Sequence, residues 1–254
     1  MSAPVFLAEP GTLDAVVAGG TFLLDGAEGR HAGVVQRRGP GERVDVVDGQ
    51  GVRLVGTVAS VGGDGVLLDV VQVVVEPVPD VALVLVQALA KGDRDELAIE
   101  AATEVGADAV VPWQAERSIV VWRGDRAAKS RARWLGTVKA AAKQARRARV
   151  PEVGTALDTR ALAERVRTVV GSGGAALVMH EEAAAPIADV PLPTGAGTQC
   201  LVVVGPEGGI GDAELARLTE AGARAVRLGP HVLRTSTAGP VALAILAQRL
   251  GRWA

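Results

Sequence analysis

Short apolar runs punctuated by glycine set the pattern of the N-terminal part of the chain. Apolar runs at 21–24, 43–47, 52–60 and 66–75, separated by glycine-containing turns, predict short strands and a small β-rich unit over 1–75. Glu76-Pro77-Val78-Pro79-Asp80 then breaks any strand, because proline supplies no ladder donor and restricts the residue before it. A domain boundary is expected there, with a second unit over 80–254. Beyond it the period changes. Apolar runs of strand length at 81–86, 177–180, 201–204 and 225–228 alternate with helix-like segments, the signature of an α/β domain with a largely parallel sheet.

The helices carry their own boundary signals. A helix over 93–105 has Asp93 as its expected N-cap, Glu96 placed to reach back, and Gly106 past its end. Asp212 is the expected cap of a second helix, with Leu215 and Leu218 facing inward and Gly222 beyond its end. Ala238, Val241, Ala242, Ile245 and Leu246 put an apolar stripe on the last helix, which tolerates Pro240 if that residue lies in the first turn.

Composition narrows the class. An apolar content of 48% and a charged content of 22% suit a folded globular chain. No apolar run approaches a membrane span, and the start MSAPVFLAEPG lacks the basic and apolar regions of a leader, so a cytoplasmic location is expected. The one cysteine, Cys200, lies beside the apolar run 201–204 and reads as a buried strand residue. Three scattered histidines and one cysteine give no ligand cluster, and no metal site is expected. Net charge is only −2, yet the segment 117–149 carries eleven basic residues against the single acid Asp125. Such a segment is either a phosphate-attracting surface or a solvated helix face.

Three loops follow predicted strands, the position at which open α/β sheets bind ligands. The first is LVMHEEA at 177–183, and the second is VVVGPEGGIGDAEL at 202–215. In the second, Gly205, Gly208 and Gly209 let main-chain amides approach a ligand, though such a turn can also be only a tight connection. The third, at 227–246, leads through a Leu-Gly-Pro turn to Arg234 and then Thr235, Ser236 and Thr237. A cation at a helix N-terminus opposes the dipole, so Arg234 either reaches a carboxylate or carbonyl or awaits an anionic ligand. There is no P-loop, no dinucleotide fingerprint and no nucleophile elbow, which removes the corresponding kinase, dehydrogenase and hydrolase readings.

GPEGGIGDAEL (205–215), LGPHVLRTST (228–237) and the apolar C-terminal helix together resemble the RsmE-type methyltransferases of the SPOUT class. The similarity extends through QALAKGDRDELAIEAATEVGADAVVPWQAERSIV (87–120), KQARRARVPEV (143–153) and HAGVVQRRGPGERVDVVDGQG (31–51). The resemblance implies a PUA-like RNA-binding barrel, then an α/β SPOUT domain with a C-terminal trefoil knot, in a homodimer without membrane association. It implies S-adenosyl-L-methionine as methyl donor and uracil N3 in 16S ribosomal RNA of the 30S subunit as target. By position, the cofactor pocket would comprise His180, Gly205, Pro206, Glu207, Gly208, Gly209, Leu228, Gly229, Leu233 and Arg234. Many members have a glutamate and alanines where Ser236, Gly239 and Pro240 stand here; the hydroxyl of Ser236 is still expected to cap the helix.

The chemistry implied is methyl transfer to a nitrogen that is a poor nucleophile until it loses its proton. A cation beside the base oxygens would stabilise the resulting anion, and Arg234 is the expected catalytic residue. His180 and His231 read as structural or cofactor-lining, and His31 as helix-end packing. Expected RNA contacts are Arg30, Arg37 and Arg38 from the N-terminal unit and Arg117, Arg146 and Arg147 from the basic segment. With no tyrosine and two phenylalanines, those contacts should be mainly electrostatic. Two rivals stay open: a SPOUT methyltransferase of a ribose 2′-hydroxyl or another base, and a non-catalytic RNA-binding ribosome-assembly factor.

Overall fold

The computed structural model describes residues 3–253. The chain divides into two units, Met1–Val78 with Ala142–Val150, and Pro79–Ala141 with Pro151–Ala254.

The first unit contains β1 (Val5–Leu7), β2 (Thr21–Leu24), α1 (Gly26–Arg30), β3 (Arg43–Val47), β4 (Val52–Gly62) and β5 (Gly65–Val75). Its five-stranded sheet runs β1-β3-β4-β5-β2, with β1 parallel to β3 and the other pairs antiparallel. Register shifts at Val55/Gly56 and Val58/Ser60 break the β4–β5 ladder and bend it. Val44, Val46, Leu54, Val58, Val66, Leu68 and Val70 alternate inward onto Phe6, Leu13 and Leu24. β1 has no counterpart among the expected strands, since three residues carry too little pattern.

Segment 142–150 belongs to this first unit, although the strand and helix pattern gives no sign of it. Ala148 packs with Val5 and Val47. Arg149 donates to the carbonyls of Gln50 and of Glu76, the latter at 2.6 Å. Lys143 pairs with Glu28 at 2.6 Å and lies 4.9 Å over the Phe6 ring. Arg146 and Arg147 therefore share a unit with Arg30, Arg37 and Arg38, and are not part of the α/β unit as expected.

The second unit contains β6 (Val81–Ala88), α2 (Arg94–Glu104), β7 (Ala109–Gln114), α3 (Asp125–Gln144), β8 (Glu152–Val153), β9 (Leu157–Asp158), α4 (Thr159–Gly171), β10 (Ala175–Met179), β11 (Thr198–Val204), α5 (Asp212–Glu220), β12 (Arg224–Val226) and α6 (Thr235–Arg249). The end of α3 lies in the first unit. All ladders are parallel, in the order β12-β10-β11-β6-β7-β8, with β9 also pairing β7. The α/β class with a parallel sheet is as expected. From β6 the chain proceeds to β7 on one side, and from β11 to β12 on the other, so the sheet switches direction between the two central strands. The crevice at their carboxyl ends is where such sheets bind ligands.

Three local expectations are corrected. Asp93 precedes α2 in a left-handed conformation (φ 54°) and makes no side-chain cap. Glu96 is engaged instead by Arg133 at 2.7 Å. Gly211, not Asp212, occupies the cap position of α5, and Glu214 reaches back to its N–H at 3.4 Å. Ser236 lies inside α6, whose N-cap Arg234 makes no side-chain cap, and Pro240 lies beyond the first turn. The helix continues through it, with Ala238, Gly239, Pro240, Ala242 and Leu243 all buried. A Cβ at Gly239 would come within 2.8 Å of Leu85 Cδ1, a contact that the leucine would have to turn aside to relieve.

Cys200 is fully buried in β11, and burial pushes its thiol up to about 12. The native thiol should therefore stay silent toward Ellman's reagent at pH 8 and react fully in denaturant, because only the thiolate attacks. Rapid labelling of the folded protein would contradict this burial.

Candidate functional site

The carboxyl ends of the parallel strands all open onto one edge, where the connections include those after β6, β7, β10, β11 and β12. At the centre of that edge sits a buried polar tie. Gln87, at the end of β6 and with 0% exposure, donates from Nε2 to Thr235 Oγ1 at 2.9 Å. Thr235, the first residue of α6, donates in turn to the Gly205 carbonyl at 2.7 Å. One hydroxyl thus joins the central strand, the glycine loop and the start of the last helix.

The glycine loop is braced from a second side. Glu214, 5% exposed on α5, accepts hydrogen bonds from the Glu116 N–H at 2.9 Å, from Thr159 Oγ1, and from the Gly211 N–H. These bonds hold the turn after β7 against the loop. Arg117, the next residue in that turn, donates to the Gly208 carbonyl at 3.0 Å. A Cβ on Gly208 would lie 3.2 Å from Arg117 Cβ, so the close packing of this turn depends on glycine. Gly209 adopts φ 74°, a left-handed turn that glycine takes without strain. On the opposite flank, Glu207 accepts from the Lys91 N–H at 3.1 Å and from Arg94 Nη1 at 2.6 Å. Partial burial pushes the Glu207 carboxyl up, but its main-chain hydrogen bonds and the Arg94 guanidinium outweigh this and hold it below the usual carboxylate range. The clasp is accordingly intact at neutral pH and is lost only as pH falls through that lowered value.

These braces surround a cavity of about 540 Å³. Its walls include His180, Gly205, Pro206, Glu207, Gly208, Gly209, Leu233 and Arg234 of the expected residues. Leu228 and Gly229 line a second cavity of about 300 Å³ that shares Met179, His180 and Leu233 with the first. All the residues of the expected cofactor pocket thus come together at one edge. His180 accepts the Glu182 N–H on Nδ1 at 3.3 Å, which makes Nε2 the protonated nitrogen of the neutral ring. His231 lines only the second cavity, among these two. Arg234 is exposed on the first cavity's wall and has no ion pair or side-chain hydrogen bond among the described residues.

Arg94, Met179, Val204, Ile210 and Ala238 also line the pocket and are absent from the expected set. Their signal lies in the sheet rule: strands predicted as parallel place every following loop on the same edge, not only the glycine-rich ones. The expected RNA contacts fall in both units. Arg117 lines the cavity of the second unit, whereas Arg30, Arg37, Arg38, Arg146 and Arg147 belong to the first. Arg30, Arg37 and Arg146 are exposed there, and Arg38 pairs with Glu42 at 3.2 Å. His31 ends α1 and packs edge-on to Phe6 at 5.9 Å, the helix-end role expected for it. Among the described residues, no three or more His, Cys, Asp or Glu side chains cluster to hold a metal ion, and no helix is long and apolar enough to cross a membrane.

Residues 77–247 match the model of the RNA methyltransferase domain family. The ribosomal RNA small subunit methyltransferase E of Mycobacterium tuberculosis (strain CDC 1551 / Oshkosh) is 47% identical over 235 residues, covering 92% of this chain and 89% of the relative. The Bacillus subtilis (strain 168) protein of the same name is 32% identical over 238 residues, covering 89% and 90%. In structure, the chain superposes on a ribosomal RNA small subunit methyltransferase E from Neisseria gonorrhoeae, crystallised bound to S-adenosyl methionine, with a TM-score of 0.82, 28% identity and 98% coverage of both chains.

Replacing Thr235 with valine keeps its shape and removes the central hydroxyl, leaving the Gln87 amide and the Gly205 carbonyl short of partners. Thr235→Val should lose about 1–3 kcal/mol of stability in urea unfolding, more than an exposed Thr237→Val control. Equal midpoints for the two variants would show that the tie carries no weight.

Proposed function

The chain belongs to the RNA methyltransferase domain family that includes the small-subunit ribosomal RNA methyltransferases E, and from that premise we propose that it transfers a methyl group from S-adenosyl-L-methionine to uracil N3 of 16S ribosomal RNA. The observation that carries this reading is the convergence of the three loops on a cavity of about 540 Å³, within the range of small-molecule sites.

The residues present fit the donor. Gly205, Pro206, Gly208, Leu228 and Gly229 would hold its adenosine through main-chain groups, beside the apolar walls of Met179, Val204, Ile210 and Ala238. The bound donor supplies an electrophilic methyl group on a sulfonium. Arg234 is the proposed catalytic residue. Its unpaired guanidinium would stand against O2 or O4 of the uracil, favour loss of the N3 proton to solvent water and stabilise the charge spread over those oxygens until N3 takes the methyl group and the donor is left as a neutral thioether. The Thr235 hydroxyl, bonded to Gly205, positions Arg234 relative to the glycine loop. His180 orients by its fixed ring and does not act as the base. Ser236 takes no catalytic part in this reading.

The first unit is proposed as the PUA-like RNA-binding module over 1–75, and the second as the SPOUT domain over 80–254 with a knotted C-terminal segment. In the first, Arg30, Arg37, Arg38, Arg146 and Arg147 supply phosphate contacts. The assembly is proposed to be a cytoplasmic homodimer acting on the 30S subunit.

Titration calorimetry with S-adenosyl-L-methionine should give saturable heat, and methyl-labelled donor with unmodified 30S particles should yield 3-methyluridine on nucleoside analysis. Label on a ribose would favour the 2′-hydroxyl reading, and absence of saturable heat the non-catalytic one. Arg234→Ala should slow single-turnover methylation by about 10²-fold or more while retaining the fold. Near-normal rates in that variant would remove Arg234 from the chemistry.

A further inference from the structure

The cavity is lined by three arginines in different electrostatic states. Arg94 is neutralised by Glu207 at 2.6 Å. Arg234 has no ion pair, and its charge is used in the proposed chemistry. Arg117 also has no ion pair among the described residues: its side-chain partner is a neutral one, the Gly208 carbonyl at 3.0 Å. It is nevertheless held in place. Its turn hangs from buried Glu214 through the Glu116 N–H at 2.9 Å, and its stem lies against Gly208 so closely that a Cβ there would be 3.2 Å from its own.

A fixed guanidinium with most of its N–H donors unspent, exposed at a cavity wall, is built for a planar anion. The methyl donor is a poor candidate. Its sulfonium and ammonium outnumber its carboxylate, so it brings net positive charge to a site whose two unpaired cations already exceed the single unpaired carboxylate among its described residues, that of Glu181. RNA brings the opposite charge. We propose that Arg117 binds a phosphodiester flanking the base that enters the cavity, a proposal that rests on the RNA methyltransferase reading. Arg94 serves differently, because its pairing with Glu207 fixes the glycine loop and leaves it no RNA contact. The sequence places Arg117 in a broad basic run, but its geometry assigns it to the target nucleotide.

The test compares wild type, Arg117→Gln, Arg117→Lys and Arg94→Gln by filter binding to a 16S transcript over a KCl series, with donor affinity measured by calorimetry. Arg117→Gln should weaken RNA binding about tenfold and flatten the slope of log K against log salt by about 0.7–0.9, the contribution of one phosphate. Donor affinity should not change. Arg117→Lys keeps the charge and should restore the slope, with the affinity recovered only in part. Arg94→Gln should leave the slope at the wild-type value. When the methylated base has been mapped, neutral methylphosphonates at its flanking linkages should weaken wild type and have no further effect on Arg117→Gln.

An unchanged slope in Arg117→Gln, or additive effects of variant and neutral linkage, overturns the proposal. Loss of donor affinity in Arg117→Gln also overturns it, by assigning the guanidinium to the donor carboxylate. If wild type gives no donor heat and no methylation, the enzyme reading fails, while the salt slopes still report on Arg117 alone.

Discussion

A buried amide at the end of the central strand holds the site together. Loops that follow parallel strands share one edge of the sheet but have no ladder bonds with one another, so their relative positions must come from side chains. Gln87 does this from the core. It sits where the connections leaving the parallel strands β6 and β11 part to opposite sides of the sheet, and through the Thr235 hydroxyl it joins the first strand of the sheet to elements more than a hundred residues later. A buried amide must be hydrogen-bonded or it destabilises the fold, so the bond that orients α6 also satisfies the Nε2 end of Gln87, while its Oε1 has no protein partner among the described residues. Arg234 inherits its position from that bond, being the residue immediately before Thr235.

A second buried polar group works on the same loop from the other face of the sheet. Glu214 gathers donors from α5's own start, from Thr159 and from the turn carrying Arg117. The glycine loop is therefore gripped between two polar hubs, and its glycines have distinct reasons. Gly208 leaves room for Arg117, while Gly205 must admit Ile210, whose Cγ1 would lie 2.6 Å from a Cβ there. Part of what looks in sequence like a ligand-binding glycine pattern is required by the protein packing against itself.

That distinction explains what the sequence disclosed and what it hid. Strands at Thr21–Leu24 and Arg43–Val47 have the predicted bounds, because alternation and flanking turns are local properties. The three loops are legible for the same reason, with strand, glycine and helix start contiguous in each. Helix caps are not. Asp93 and Glu96 have the right spacing, but Gly92 and Asp93 both turn left-handed, and Glu96 finds Arg133, a partner far along the chain. Gln87 and Glu214 are hidden likewise: their partners lie in other elements, and only the fold brings them within reach.

The basic run at 117–149 shows how composition misleads when charge is counted without partners. Arg131 donates to the Val153 and Gly154 carbonyls, Arg133 pairs with Glu96, Lys143 with Glu28, and Arg149 bonds the carbonyls of Gln50 and Glu76. These side chains fix structure, and their charge is partly spent within the protein. Arg123, Arg126, Lys129 and Lys139 remain exposed, so the choice between phosphate-attracting surface and structural face is not one for the segment as a whole. It is decided residue by residue. A cation already paired must be released before it can serve RNA, whereas one held by a carbonyl alone keeps its full charge for an incoming anion. By that criterion Arg133 and Lys143 are spent on carboxylates, whereas Arg117, Arg131 and Arg149 are held by carbonyls, and Arg117 is the one of these three that lines the cavity, a distinction set by partners and position and not by the local density of charge.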